Sequence, residues 1–80
     1  MGKLHSIGNA TIRVYANDHL PPHFHVVAPD WEALIEIETL TVLRGTLPAS
    51  ARKAVMAWVA ANREAVAAEW NRINIRFPIV

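Results

Sequence analysis

Hydrophobic and polar residues alternate with a period of two through the first half of the chain, and the period lengthens to that of a helix in the second half. Thr11 to Ala16, "TIRVYA", sends Ile12, Val14 and Ala16 one way and Thr11, Arg13 and Tyr15 the other, as a half-buried strand requires. The segment "HFHVVA" resumes the pattern, with Phe24, Val26 and Ala28 on one face and His23, His25 and Val27 on the other. Pro29-Asp30 then predicts a turn. In "WEALIEIE" the apolar side is Trp31, Ala33, Ile35 and Ile37, and the opposite side is Glu32, Leu34, Glu36 and Glu38. A further short strand, Leu40 to Arg44, ends at Gly45.

Pro48 suits the first position of a helix, where a residue without an N–H costs nothing, and an Ala-rich segment follows to about Arg72. Ala51, Val55, Trp58, Val59, Asn62, Val66, Trp70 and Ile73 recur at helical spacing and form one apolar stripe, interrupted by the polar Asn62. The expected fold is therefore α+β: a small antiparallel sheet of four to five strands with one long C-terminal helix packed on one face. The apolar, Pro-containing tail "NIRFPIV" is expected to close over the core or add an edge strand.

One helix can cover only one face of a sheet, so the second is left open to solvent or to a partner. That face is expected to carry Arg13, Tyr15, His23, His25, Val27, Leu34, Glu36 and Glu38, with Leu43 near its edge. Imidazoles, carboxylates, a phenol and a guanidinium interleaved with aliphatics make it the candidate binding face.

At 80 residues the chain reads as one domain, residues 1–80, near the size at which a single core barely suffices. Its hydrophobic content of 52% and three tryptophans supply that core, so a folded, soluble unit is expected. The absence of cysteine removes disulfides and thiolate metal sites. No apolar run approaches the ~20 residues of a membrane span, and "MGKLHSIGNATI" lacks the apolar core of a signal peptide, so a cytoplasmic protein without a membrane partner is expected. Eight basic residues against seven acidic ones give a formal charge of +1; nucleic-acid binding is not indicated by that balance and would have to be local.

Three of the four histidines fall in "DHLPPHFH". Pro22 cannot donate to a sheet ladder and restrains Pro21 towards extended geometry, which predicts a stiff loop. His23 and His25, two apart in a strand, leave the same face and could share a divalent ion such as Zn or Ni, with His19, Asp18 or Glu36 as the third ligand. They could instead serve as general bases oriented by Glu36, although no recognisable nucleophile accompanies them. The plainer alternative is that the imidazoles pack beside the prolines and hydrogen-bond to loop backbone. No cofactor follows with certainty from these residues.

Asp18-His19-x-Pro21-Pro22-His23-Phe24-His25, followed by "IEIETLTVLRGTLP" from Ile35 to Pro48 and by a helix bearing Trp58 and Trp70, resembles the small bacterial DUF4160 family, a domain of unknown function. The likeness runs from about Ser6 to Arg72. It implies a short, single-domain protein often encoded beside another small protein, and a toxin-antitoxin-like pair. It implies no established activity.

Arg44, Arg52 and Lys53 lie near the start of the expected helix, and Glu64 and Glu69 towards its end, the order a helix dipole disfavours. An anion or partner docking patch is one reading of Arg44, Arg52 and Lys53; ordinary solvated charges are the other. The leading expectation for function is a protein-interaction module that recognises a small protein partner through the open sheet face and the His-Pro loop. The alternatives are a metal-dependent hydrolase or nuclease using the histidines, and a stoichiometric inhibitor of a larger complex.

Overall fold

The computed structural model describes residues 2–15 and 21–74. Its elements, in chain order, are β1 (Gly2–Ile7), β2 (Ala10–Val14), β3 (His23–Ala28), β4 (Trp31–Glu36), β5 (Val42–Gly45), α1 (Ala49–Ala61) and α2 (Arg63–Ile73). The strands form one antiparallel meander in the order β1-β2-β3-β4-β5. The helices lie on one of its faces, so the α+β architecture and its two layers match the hydrophobic pattern.

Alternation sets the buried face as expected. Ile12, Val14, Phe24, Val26, Ala33 and Ile35 are fully buried beneath Val55, Val59, Val66 and Trp70 of the helices. Ala16 and the tail from residue 75 onwards lie outside the described residues, so the roles expected of them do too.

The strand β1 has no counterpart in the alternation pattern, and its register explains why. Pairing with β2 runs Lys3↔Arg13 and then His5↔Ile12, a shift that leaves Leu4 as an extra residue. The bulge breaks the period of two, so Leu4 and Ile7, three apart, both reach the core. It also turns His5 towards the helix layer. Gly8-Asn9 closes the β1–β2 hairpin with φ +58° at Gly8, a turn that asks for glycine at its first central position.

The one long helix expected from the stripe is two helices. At Asn62 the backbone reaches φ −126°, ψ 25°, and its N–H bonds to the Val59 carbonyl three residues back instead of four. The Asn62 side chain donates to the Trp58 carbonyl at 2.8 Å, so the polar interruption in the stripe holds the break. Pro48 is the residue before the first helical turn, extended at φ −61°, ψ 148°, rather than within it.

The break also alters the charge argument. Along a single helix Glu64 stands near the disfavoured end; in α2 it occupies the first turn, and Arg72 the last, the order the dipole favours. In α1 the first turn has no acid, and Arg52 and Lys53 are exposed there.

Two residues around β5 have positive φ, Leu40 in the β4–β5 connection and Gly45 at the end of β5. Leu40 (φ 60°) donates its N–H to the Glu36 carbonyl, and its partly buried side chain packs on the core. Gly45 (φ +83°) lies so close to β4 that a Cβ there would overlap the Glu32 carbonyl oxygen, which also accepts the Thr46 N–H at 2.9 Å.

Candidate functional site

Strand register carries the geometry of the sheet face away from the helices, which no element among the described residues covers. The pairs Arg13↔His25, His25↔Leu34 and Leu34↔Arg44 place these four residues in one row across β2, β3, β4 and β5. His23↔Glu36 lies one step along the strands on one side, and Val27↔Glu32 one step along on the other. Arg13, Tyr15, His25, Val27, Leu34 and Glu36 are half-buried, and Glu38 is exposed. Leu43, beside the register shift in β5, is 42% exposed.

His23 departs from its expected place on an accessible face. It is buried, at 1% exposure, and its ring lies 5.6 Å from that of Trp70 in α2, centroid to centroid. Its Nδ1 is 2.8 Å from the Pro21 carbonyl, and since a carbonyl only accepts, Nδ1 carries the proton. This is the loop-backbone contact weighed as the plainer reading. The Pro-Pro segment holds its course through a second bond, in which the Ile37 N–H donates to the Pro22 carbonyl at 3.0 Å.

His25 has the more accessible ring. Its Nδ1 lies 3.2 Å from Glu32 Oε2, so Nδ1 donates here as well. Tyr15 meets the His25 ring edge-on, with centroids 4.5 Å apart and planes at 84°. His23 and His25 have centroids 5.1 Å apart.

Glu32 was not among the residues the sequence marked as functional, and the signal for it was the hairpin. With Ala28↔Trp31 closing a two-residue turn at Pro29-Asp30, His25 and Glu32 must lie diagonally on the same face. Glu36, the other candidate orienting carboxylate, accepts instead from the Thr39 hydroxyl at 3.0 Å. Asp18 and His19 lie outside the described residues. Among the described residues no group of three or more His, Asp or Glu side chains is placed to hold a metal ion.

Arg44, Arg52 and Lys53 are exposed, and none has an ion-pair partner among the described residues. Arg44 belongs to the sheet row by register. Arg52 and Lys53 stand on α1.

The family model for "Domain of unknown function (DUF4160)" matches residues 10–71. The chain belongs to the DUF4160 family. The matched span runs from the first residue of β2 into α2, and so holds the whole row from Arg13 to Arg44 together with both histidines, whereas β1 precedes it. No curated protein and no solved structure matches the chain. No helix among the described residues is long and apolar enough to cross a membrane.

Proposed function

We propose that this DUF4160 chain is a protein-interaction module, one component of a toxin-antitoxin-like two-protein system, which engages a small protein partner through the uncovered sheet face and the adjoining His-Pro loop. One observation carries the reading. The face away from the helices presents half-buried Tyr15, His25, Val27 and Leu34 between charged groups, and ends at Leu43, the one large hydrophobic exposed among the described residues. An apolar centre with a polar rim is the anatomy of a protein interface. The two-protein assignment draws its support from the family resemblance.

Co-expression of the tagged chain with the product of the adjacent gene tests this. A stoichiometric complex is expected with the wild type, and its loss with Leu34→Glu in a protein that still melts cooperatively. Capture of a large assembly in place of the small protein would favour the inhibitor reading. A complex that survives Leu34→Glu would remove the sheet face from the argument.

Metal-assisted hydrolysis is the second reading, favoured by two neighbouring imidazoles, with ring centroids 5.1 Å apart, that both donate from Nδ1 and would therefore ligate a metal through Nε2. Glu36, opposite His23, would supply a third donor. Titration of Zn²⁺ or Ni²⁺ is expected, on this reading, to raise the melting temperature of the wild type and not of His23→Ala/His25→Ala. Equal shifts in both proteins would place the ion elsewhere.

A further inference from the structure

The charged groups of the uncovered face are not equally engaged. Glu32 is held by His25 and Glu36 by Thr39. Arg13 and Arg44 have no ion-pair or hydrogen-bond partner among the described residues. Glu32 and Glu36 are thus hydrogen-bonded within the chain, whereas exposed Glu38 and the two guanidiniums have no such partner among the described residues. Register places Arg13 on β2 and Arg44 on β5, with His25 and Leu34 between them.

Resting on the reading of this face as a docking surface, we infer that the partner contributes an extended acidic segment lying across the strands, with one carboxylate for Arg13, one for Arg44, and an apolar side chain between them for Leu34. The spacing sets the length. Three strand-to-strand intervals separate the two arginines, ~14 Å in all, which is about four residues of extended peptide at ~3.3 Å each. In such a segment residues two and four apart leave the same side, so an acid, an apolar residue and an acid at alternate positions face the row together. A guanidinium binds a carboxylate through two parallel N–H donors, which makes arginine suited to discrete carboxylates.

A continuous polyanion fits the same row less well. Glu32 and Glu36 occupy the rows on either side of it, and exposed Glu38 follows in the turn after β4. A nucleic-acid strand would carry phosphates past these carboxylates, whereas a peptide can place its charges at the two arginines alone.

The test is selection from a library of random linear peptides displayed against the purified full chain. The expected enrichment is for pairs of Asp or Glu about four residues apart with an apolar residue between them. Synthetic peptides from that selection should bind Arg13→Gln or Arg44→Gln roughly tenfold or more weakly than the wild type. Both residues are on the surface layer, and circular dichroism of each variant confirms the fold. Selected peptides without acids, no enrichment, or undiminished binding to the variants would overturn the inference. Displacement of the peptides by a single-stranded oligonucleotide that itself binds more tightly would overturn it in favour of nucleic acid. If the adjacent gene's product binds the wild type and not Leu34→Glu, yet binds Arg13→Gln/Arg44→Gln undiminished, the acidic segment fails while the docking face stands.

Discussion

His5 stacks on Trp58, with ring centroids 4.6 Å apart and planes 8° from parallel. The contact exists because the bulge in β1 turns His5 to the helix side, and it leaves Trp58 half-buried at the margin while Trp70 is wholly enclosed. The two tryptophans, equivalent in the sequence stripe, therefore differ in what they contribute. Trp70→Ala is expected to cost ~3–5 kcal/mol, enough to unfold much of a domain this small. His5→Ala should remove only the stacking contribution, ~0.5–1.5 kcal/mol, and Trp58→Ala should fall between them. Urea melts of the three variants check the order; a Trp58→Ala loss equal to that of Trp70→Ala would contradict it.

Gly8 and Gly45 both have positive φ, but only Gly45 is also sterically confined. Alanine at Gly8 meets nothing within 4 Å, so its cost is that of a left-handed residue, ~1–2 kcal/mol. Alanine at Gly45 adds displacement of the Glu32 backbone, next to the residue pair that anchors β5. Thermal melts are expected to show the larger loss for Gly45→Ala. Protection of β5 amides from hydrogen exchange should fall with it, and not with Gly8→Ala.

Glu69 and Arg72 form a two-point contact on α2, at 3.0 and 2.6 Å. The Arg72 hydrogen bond, helped by its charge and opposed by partial burial, holds the Glu69 carboxyl below the usual carboxylate range. A lowered folded-state value stabilises the fold above the unfolded value, and that contribution is lost as pH falls through the folded one. Glu69→Gln should therefore melt slightly below the wild type near neutral pH, and the two should converge in strong acid. The gap should also shrink in high salt, because Arg72 is exposed and Glu69 only partly buried. A gap unchanged by either treatment would mean that packing, and not charge, sets it.

The core was legible in the sequence because the period of two holds within β2, β3 and β4, and because helical spacing carries the buried positions Val55, Val59, Val66 and Trp70 across the break at Asn62. Where a period is broken by the backbone itself the pattern gives no reading. The β1 bulge at Leu4 hid a strand, and the break at Asn62 was visible only as a polar residue in an apolar stripe. Alternation gave the residues of the sheet face away from the helices one by one, yet His23, expected to be accessible there, is buried. Alternation says which side of a sheet a residue leaves, whereas the surroundings of buried His23 include Trp70, some fifty residues away in the chain. Long-range cover of that kind has no local signature.

An interface depends on several contributing side chains, whereas a reaction fails when one essential group is lost, so the two functional readings predict different mutational profiles. On the interaction reading, Leu34→Glu acts twice, since it removes the apolar centre of the row and supplies a carboxylate beside Arg44 that competes with one from the partner. Tyr15→Glu should also break the complex by replacing the ring that meets His25. His25→Gln keeps a hydrogen-bonding group near Glu32 and should weaken binding only in part. Hydrolysis predicts the reverse, with His25→Gln removing all cellular effect and Leu34→Glu largely tolerated, because an aliphatic side chain offers neither a proton nor a metal ligand. The cellular phenotype and the co-purified complex, each measured for all three variants after their folding is confirmed, separate these profiles. Loss of the phenotype in His25→Gln alone, with Leu34→Glu and Tyr15→Glu unaffected, would make the enzyme reading primary.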